Sequence, residues 1–258
     1  MSKTQKENCS QIIKTERQPL SPLRKKYIIR LIGRLFVLGI CLVAYFTAPH
    51  KFDIVDGMNF FKGFSPFHLL WAIWVIDMVC QLIPIKNHIP LGSQKLFRNR
   101  FKPIREKINR SALKSHILST TKAAGKVMLL WGALVSVIGV LYIMNIIDKK
   151  ILLLLSVVFY VCDLICVLIW CPFRLILKNR CCTTCRIFNW DHLMMFSPLL
   201  FMGGFFAISL FSLSLVVWLV WELSILIYPE RFWEFSNDAL KCSNCTDKLC
   251  TQYCQKLR

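Results

Sequence analysis

Acidic residues are scarce in this sequence. Of its 258 residues, 14 are Asp or Glu and 33 are Lys or Arg, which gives a formal net charge of +19 at pH 7. The chain also lacks a glycine-rich loop that would cradle a phosphate, a nucleophile paired with a base, and a pair of carboxylates in a polar segment. The sequence therefore does not support an ordinary hydrolase or transferase, and it leaves open whether the protein is an enzyme of another kind.

The excess of basic charge does not indicate nucleic-acid binding, because no nucleic-acid-binding motif accompanies it. Hydrophobic residues make up 55% of the chain, and the mean hydropathy is +0.51. This composition is typical of a multi-pass membrane protein. A helix needs about 20 apolar residues to cross about 30 Å of hydrocarbon. Five runs of suitable length are predicted to span the bilayer: 31–48, 66–85, 127–147, 151–171 and 205–227.

The predicted fold is an all-α integral membrane protein, a five-span helical bundle with a short cysteine-rich C-terminal tail. A polar basic tail at 1–26 precedes the membrane domain at 27–228, and the cysteine-rich tail occupies 229–258. No cleavable signal is visible, so we expect the first span to be its own anchor. The run from Leu193 to Tyr228 is too long for one crossing and too short for two spans with a turn. We therefore expect its first third to be an interfacial or re-entrant lead-in.

Basic residues are concentrated before the first span, in the loop 86–126 and in the segment 171–192. Segments of this kind stay cytoplasmic, so we expect a cytoplasmic N-terminus in a multi-pass membrane protein, at the plasma membrane if the host is prokaryotic. Five spans then place the C-terminal tail outside. Apolar residues at helical spacing between the lysines and arginines of 97–112 also predict a basic amphipathic helix on anionic lipid headgroups. The alternative is an ordinary loop with little helix.

Eight of the 13 cysteines form two groups of four, in and beside the CCTTC segment and in the C-terminal tail. They are Cys171, Cys181, Cys182 and Cys185, and then Cys242, Cys245, Cys250 and Cys254. The C-x2-C step that ends the CCTTC segment suits a zinc or iron–sulfur site, in which His192 or Asp191 could replace a sulfur. Redox-active or S-palmitoylated thiols are alternatives, as is inert packing. In the tail, the cysteines predict a metal knuckle if cytoplasmic and two disulfides if outside.

Two aspartates, Asp77 and Asp163, lie near the middle of predicted spans in the similar segments DMVCQLI and DLICVLI. The similarity favours two repeated helical hairpins followed by a fifth span. A carboxylate at this depth costs about 2.5–3.5 kcal/mol on insertion scales. Each should therefore face the bundle interior and find a partner, for which Arg34 is a candidate, and a purely structural hydrogen bond is the alternative.

Two functions follow from these patterns. The first is a membrane protein whose cytoplasmic cysteine cluster binds an iron–sulfur cluster or zinc, or carries thiol redox or electron transfer, with a redox or membrane-complex partner. The second is a small transporter or ion-translocating subunit that uses Asp77 and Asp163. A scaffold whose tail binds a partner is a third interpretation.

Overall fold

The computed structural model describes residues 22–83, 101–104, 108–178 and 185–241. Its α-helices, numbered here in chain order, are α1 (Pro22–Thr47), α2 (Pro66–Leu82), α3 (Arg110–Ile143), α4 (Lys149–Leu168), α5 (Phe173–Leu177), α6 (Asp191–Phe196) and α7 (Gly204–Ile227). Short 3-10 segments are Pro49–Val55, Asn59–Phe61, Phe188–Trp190, Ser197–Phe201, Pro229–Phe232 and Asp238–Leu240. Helices make up 81% of this part of the chain, which holds no strand, and the predicted all-α class is confirmed.

Four helices, α1, α3, α4 and α7, are long and apolar enough to cross a membrane. They coincide with four of the five predicted spans. The fifth predicted span, 66–85, corresponds to α2, which is apolar but only 17 residues long. The structure therefore supports a membrane protein with four candidate membrane-spanning helices, and the five-span arrangement stays a prediction.

The outward faces of these helices are covered with large apolar side chains. Phe46 at the end of α1 is 78% exposed, and Leu129 in α3 is 77% exposed. Water would make so extended an apolar surface unfavourable, whereas lipid tails make it favourable. The surface is therefore the kind that a bilayer covers.

The helix α3 begins 17 residues before the predicted span, inside the predicted basic loop. Its N-cap is Asn109, whose side chain accepts a hydrogen bond from the Ala112 amide at 3.1 Å. Residues 101–104 are not helical, so the amphipathic helix predicted within 97–112 does not run through them, and residues 97–100 and 105–107 lie outside the described residues. Pro103 instead forms an isolated antiparallel bridge with Asn237. Proline has no amide hydrogen to donate within a helix. The other backbone groups of this segment form hydrogen bonds with the C-terminal segment instead.

A broken helical segment, residues 186–203, lies inside the bundle. It comprises a 3-10 turn, the short helix α6 and a second 3-10 turn, and most of its residues up to Leu199 are buried. It ends at Gly203 and Gly204, which have φ of +66° and +78°. A β-carbon on Gly204 would lie 2.7 Å from the backbone nitrogen of Gly57, so glycine is needed there for both conformation and space.

The contacts of the broken segment define the two ends of the bundle. At one end, which we call the turn end, the Phe205 amide donates to the Gly57 carbonyl oxygen at 3.1 Å. At the other, which we call the basic end, the Trp190 and Trp218 rings lie 6.1 Å apart. About 13 residues from Trp190 to Gly203 thus cover the same height as about 15 residues of α7. This is feasible because 3-10 geometry rises about 2.0 Å per residue, against about 1.5 Å in an α-helix.

The C-terminal segment 229–241 lies at the basic end. The Asp238 amide donates to the Lys102 carbonyl oxygen at 2.9 Å, and the Trp233 ring stacks on His116 of α3 at 5.7 Å. The five-span count had placed the tail at the opposite end from the basic loop. The difference arises because the broken segment returns the chain to the turn end before α7 begins. The interior of a protein allows this, since a buried segment need not cover the full thickness of the hydrocarbon.

Candidate functional site

An arginine from α1 lies between the two aspartates that the sequence singled out. Arg34 Nη1 is 2.7 Å from Asp163 Oδ2 on α4, and Arg34 Nη2 is 3.7 Å from Asp77 Oδ2 on α2. The arginine also donates to the Tyr160 carbonyl oxygen at 2.5 Å, and its guanidinium carbon lies 3.8 Å from the centre of the Tyr160 ring. The prediction that both carboxylates face the interior and that Arg34 is a partner is what the geometry shows.

The broken segment adds a histidine to the same cluster. His192 Nε2 lies 3.8 Å from Asp77 Oδ2, and His192 Nδ1 lies 3.3 Å from Asp191 Oδ2. The side chain of His192 is only 3% exposed. The sequence offered His192 and Asp191 as possible metal ligands beside the CCTTC segment, whereas the structure places both side chains against Gln81 and the charged groups of the interior.

Gln81, which the sequence reasoning missed, completes the network. Its amide nitrogen lies 3.1 Å from His192 Nδ1 and 3.3 Å from Asp191 Oδ2. Gln81 stands four residues after Asp77, so it lies one helical turn away on the same face of α2. That spacing was the available signal: a glutamine on the helical face of a mid-span carboxylate. We call the six residues Arg34, Asp77, Gln81, Asp163, Asp191 and His192 the charge network.

Negative charge is in excess within the charge network. Three carboxylates face one arginine, so with a neutral His192 two negative charges are uncompensated among these six side chains. The three carboxylates are 19–26% exposed and Arg34 is 9% exposed. Arg30, one turn earlier on α1, is exposed and acts on Asp77 only at longer range. Uncompensated charge in such surroundings is costly, so the network favours additional positive charge, of which protons are the simplest form.

Two acceptor atoms in the network have no partner within the described ranges: Gln81 Oε1 and Asp191 Oδ1. Both are buried. Buried acceptors in proteins are normally satisfied by the protein or by ordered water. These two atoms therefore mark a place where water or a protonated group would be stabilised.

An aromatic layer separates the charge network from the turn end. Its members, all on the turn side of the charged groups, are Trp74, Tyr160, Phe196 and Phe206. Trp74 is fully buried, and its ring lies 5.7 Å from Tyr160 and 5.1 Å from Phe196. Close-packed aromatic rings leave no room for water, so this layer blocks water from reaching the network on the side of the turn end.

A second buried ion pair joins the broken segment to α7 at the basic end. Arg186 makes two bonds to Glu222, at 2.7 and 2.5 Å. Trp190 Nε1 also donates to Glu222 at 2.8 Å. The Glu222 side chain is 19% exposed and lies at the basic end of α7. The bidentate geometry fixes the position from which the broken segment enters the bundle.

Most of the predicted cysteine ligands lie outside the described residues: Cys181, Cys182, Cys242, Cys245, Cys250 and Cys254. Of the predicted set, Cys171 and Cys185 are described, and neither forms a disulfide. Within the described ranges, no group of three His, Cys, Asp or Glu side chains could hold a metal ion. The metal and iron–sulfur predictions therefore stay predictions.

The thiol of Cys171 has unusual acid strength. A hydrogen bond from Cys166 lowers its pKa to about 7; burial opposes this, and the amides of Phe173 and Arg174 add to the lowering. These donors stabilise the thiolate, and a thiol whose pKa is near 7 is partly ionised, and therefore nucleophilic, at neutral pH. Whether the cysteines of the CCTTC segment are redox-active, S-palmitoylated or inert stays a prediction.

The flanks of the two cysteine-rich segments meet at the basic end. A hydrophobic cluster there contains Leu177 and Cys185, which precede and end the CCTTC region, together with Phe232 of the C-terminal segment. Trp221 of α7 is fully buried in this cluster, and its Nε1 donates to the Arg186 carbonyl oxygen at 2.8 Å. The cluster therefore joins the residues next to the CCTTC segment to Phe232, which stands ten residues before Cys242.

The sequence matches no protein-family model, no curated protein and no solved structure. Function is therefore inferred from the chemistry of the chain's own residues.

Proposed function

We propose that this chain is an integral membrane protein that translocates protons through the charge network. The observation that carries the proposal is the placement of Asp77 and Asp163 on either side of Arg34, in contact with a buried histidine that has a carboxylate at each ring nitrogen. Intramembrane ionisable residues are costly, and they are typical of proton relays and ion pathways. Histidine can take a proton at one ring nitrogen and release one from the other.

A proton fits this network better than a metal cation does. Each carboxylate already faces an arginine, a histidine or an amide, and no three-ligand metal group is present in the described part of the chain. A proton needs no coordination shell and can be shared between neighbouring carboxylates. The excess of negative charge supplies the driving force for binding one.

The proposed orientation places the basic end in the cytoplasm. The N-terminus, the loop 86–126 and the segment 171–192 carry most of the basic charge, and such segments are retained inside, where anionic headgroups attract them. The C-terminal segment then also lies in the cytoplasm, because it contacts Lys102 and His116. This differs from the outside tail that five spans predict. Protons would enter from the cytoplasmic side through Gln81 and Asp191, with the aromatic layer toward the outside.

The test is proton flux into proteoliposomes that contain the purified chain, driven by a potassium diffusion potential and followed with a trapped pH dye. Asp77→Asn and Asp163→Asn should each lower the flux by at least about tenfold, because each removes a proton acceptor. Asp56→Asn is the matched control, since this aspartate pairs with Lys149 at the turn end, away from the network. Wild-type flux in both network variants would contradict the proposal, as would the absence of flux in the wild type.

A second function, the metal or redox centre formed by the cysteines, is favoured by a separate observation. The flanks of both cysteine-rich segments share one cluster at the basic end, and on the proposed orientation this is the reducing side, where thiolates stay available for zinc or an iron–sulfur cluster. Metal analysis of the purified chain should then find zinc or iron in stoichiometric amount. Cys182→Ser and Cys245→Ser should remove it, and Cys162→Ser, a change at an exposed cysteine of α4, should not. A metal-free wild type would exclude this second function.

A further inference from the structure

The amide of Gln81 lies where it decides which nitrogen of His192 carries the proton. Its Nε2 group has two hydrogens and two acceptors within reach, His192 Nδ1 at 3.1 Å and Asp191 Oδ2 at 3.3 Å. Donation of one hydrogen to each satisfies the amide. That pattern requires Nδ1 to be unprotonated, so that the proton of the neutral ring lies on Nε2, which faces Asp77 at 3.8 Å.

Without Gln81 the opposite tautomer is favoured. Asp191 Oδ2 lies 3.3 Å from Nδ1, whereas Asp77 Oδ2 lies 3.8 Å from Nε2. The shorter distance makes Nδ1–H the better-bonded form when only the two carboxylates compete. Gln81 therefore opposes the preference that the carboxylates alone would impose.

The orientation of the amide is itself determined by charge. If the oxygen and nitrogen of Gln81 were exchanged, Oε1 would lie 3.3 Å from the Asp191 carboxylate, and two acceptors would face each other. Gln81 is 5% exposed, so water has little access to relieve that repulsion. Its amide nitrogen consequently stays toward Asp191 and His192.

We infer that Gln81 is a positioning residue that keeps the proton of neutral His192 on Nε2 and the lone pair of Nδ1 toward the basic end. The inference rests on the proposed function. A proton bound to Asp191 moves to Nδ1 and gives an imidazolium, and the Nε2 proton then passes to the Asp77 carboxylate. One proton has then moved from Asp191 to Asp77, and the ring is left with its proton on Nδ1. Before this transfer, Gln81 holds the neutral ring in the Nε2–H form, with the Nδ1 lone pair free to accept a proton from the side of the basic end.

The other charged groups around His192 agree with this direction. Asp163 and Arg34 lie beyond Asp77, toward α4 and α1, and the guanidinium stabilises the carboxylates that receive the proton. Asp191, on the segment of His192 itself, is the acceptor nearest the basic end. The charged groups of α1, α2, α4 and the broken segment thus form a series through which a proton can pass in single steps.

The tautomer of His192 can be measured directly. The full chain, labelled with 15N-histidine in liposomes, would be studied by solid-state NMR at a pH high enough for the ring to be neutral, and the His192 signals would be assigned by their loss in His192→Asn. In the wild type the Nε2–H form should dominate. In Gln81→Met, which has a similar shape but cannot donate, the ratio should shift by about fivefold to tenfold toward Nδ1–H, as loss of one hydrogen bond implies.

Controls separate this inference from packing effects and from the proposed function. Ile76→Leu, a change on the lipid-facing side of α2, should leave the ratio unchanged. If Gln81→Met does not fold, Gln81→Asn, whose shorter side chain draws the amide away from the ring, should shift the ratio in the same direction. An unchanged ratio in the folded variant overturns the inference even if flux occurs. A shifted ratio together with wild-type flux overturns the role in translocation, and absence of flux in the wild type overturns the proposed function alone.

Discussion

The interior position of Arg34 makes a strong prediction about stability. Arg34→Met keeps most of the volume of the side chain and removes its charge. With an effective dielectric constant of about 20, Coulomb's law gives about 6 kcal/mol of gross attraction at the 2.7 Å contact with Asp163 and about 4.5 kcal/mol at the 3.7 Å contact with Asp77. Desolvation offsets much of this, so the expected loss is the smaller figure typical of breaking one side of a buried pair, about 3–5 kcal/mol.

The assay is the free energy of unfolding of the purified chain in mixed micelles, titrated with a denaturing detergent. Lys149→Met is the matched control. Lys149 also forms an ion pair with an aspartate, Asp56, but both of these side chains are 41% exposed. Exposed pairs contribute about 0–1 kcal/mol. The control should therefore lose less than about 1 kcal/mol, and the difference between the two variants reports burial.

A compensating variant distinguishes lost charge from lost packing. When Arg34→Met is combined with Asp77→Asn and Asp163→Asn, the carboxylates that lost their partner are gone, and we expect at least half of the stability to return. If the single variant is as stable as the Lys149→Met control, Arg34 does not hold buried carboxylates. If the triple variant is no more stable than Arg34→Met alone, the loss of stability comes from packing and not from the unpaired carboxylates of the charge network.

Three further predictions follow. Gly204→Ala should lose about 2 kcal/mol or more of unfolding free energy, because a β-carbon would clash with backbone 2.7 Å away and the φ of +78° disfavours alanine, whereas Gly132→Ala, with open space around it, should not destabilise. Alkylation of Cys171, followed by peptide mass spectrometry, should reach half its maximal rate near pH 7. In Cys166→Ala the midpoint should move to higher pH, because the thiolate loses a hydrogen bond; an unmoved midpoint contradicts this. Finally, green fluorescent protein fused after residue 258 should fluoresce in cells and alkaline phosphatase fused there should be inactive, whereas an active phosphatase would refute the cytoplasmic tail.

Much of the fold was predictable from composition alone. The four long helices coincide with apolar runs because a helix satisfies its own backbone hydrogen bonds, so that length and hydropathy together identify a candidate crossing. The start of α3 was not predictable in the same way. Its first turns lie beyond the apolar run, and they depend on the cap at Asn109 and on contacts such as the stacking of His116 on Trp233.

The candidate site was predictable in part. Asp77 and Asp163 stood out because a carboxylate in an apolar run is costly, and Arg34 was the basic residue available at similar depth. Gln81 did not stand out, since an amide costs less than a charge in such a segment. The partnership of His192 with Asp77 could not be predicted, because it depends on how the broken segment enters the bundle. That entry depends on Arg186 and Glu222, which are 36 residues apart in the chain.

The broken segment also explains why the described part of the C-terminal segment, 229–241, lies at the basic end. A hydropathy count treats each crossing as a continuous helix exposed to lipid, and Pro198 with Gly203 and Gly204 interrupts that pattern. Inside a bundle the requirement is different: each freed backbone group needs a partner, and the surrounding helices can supply it. A chain that brings such a segment into its core also brings polar side chains to that depth. The contact of His192 with Asp77 is then a consequence of the same break that returns the C-terminal segment to the basic end.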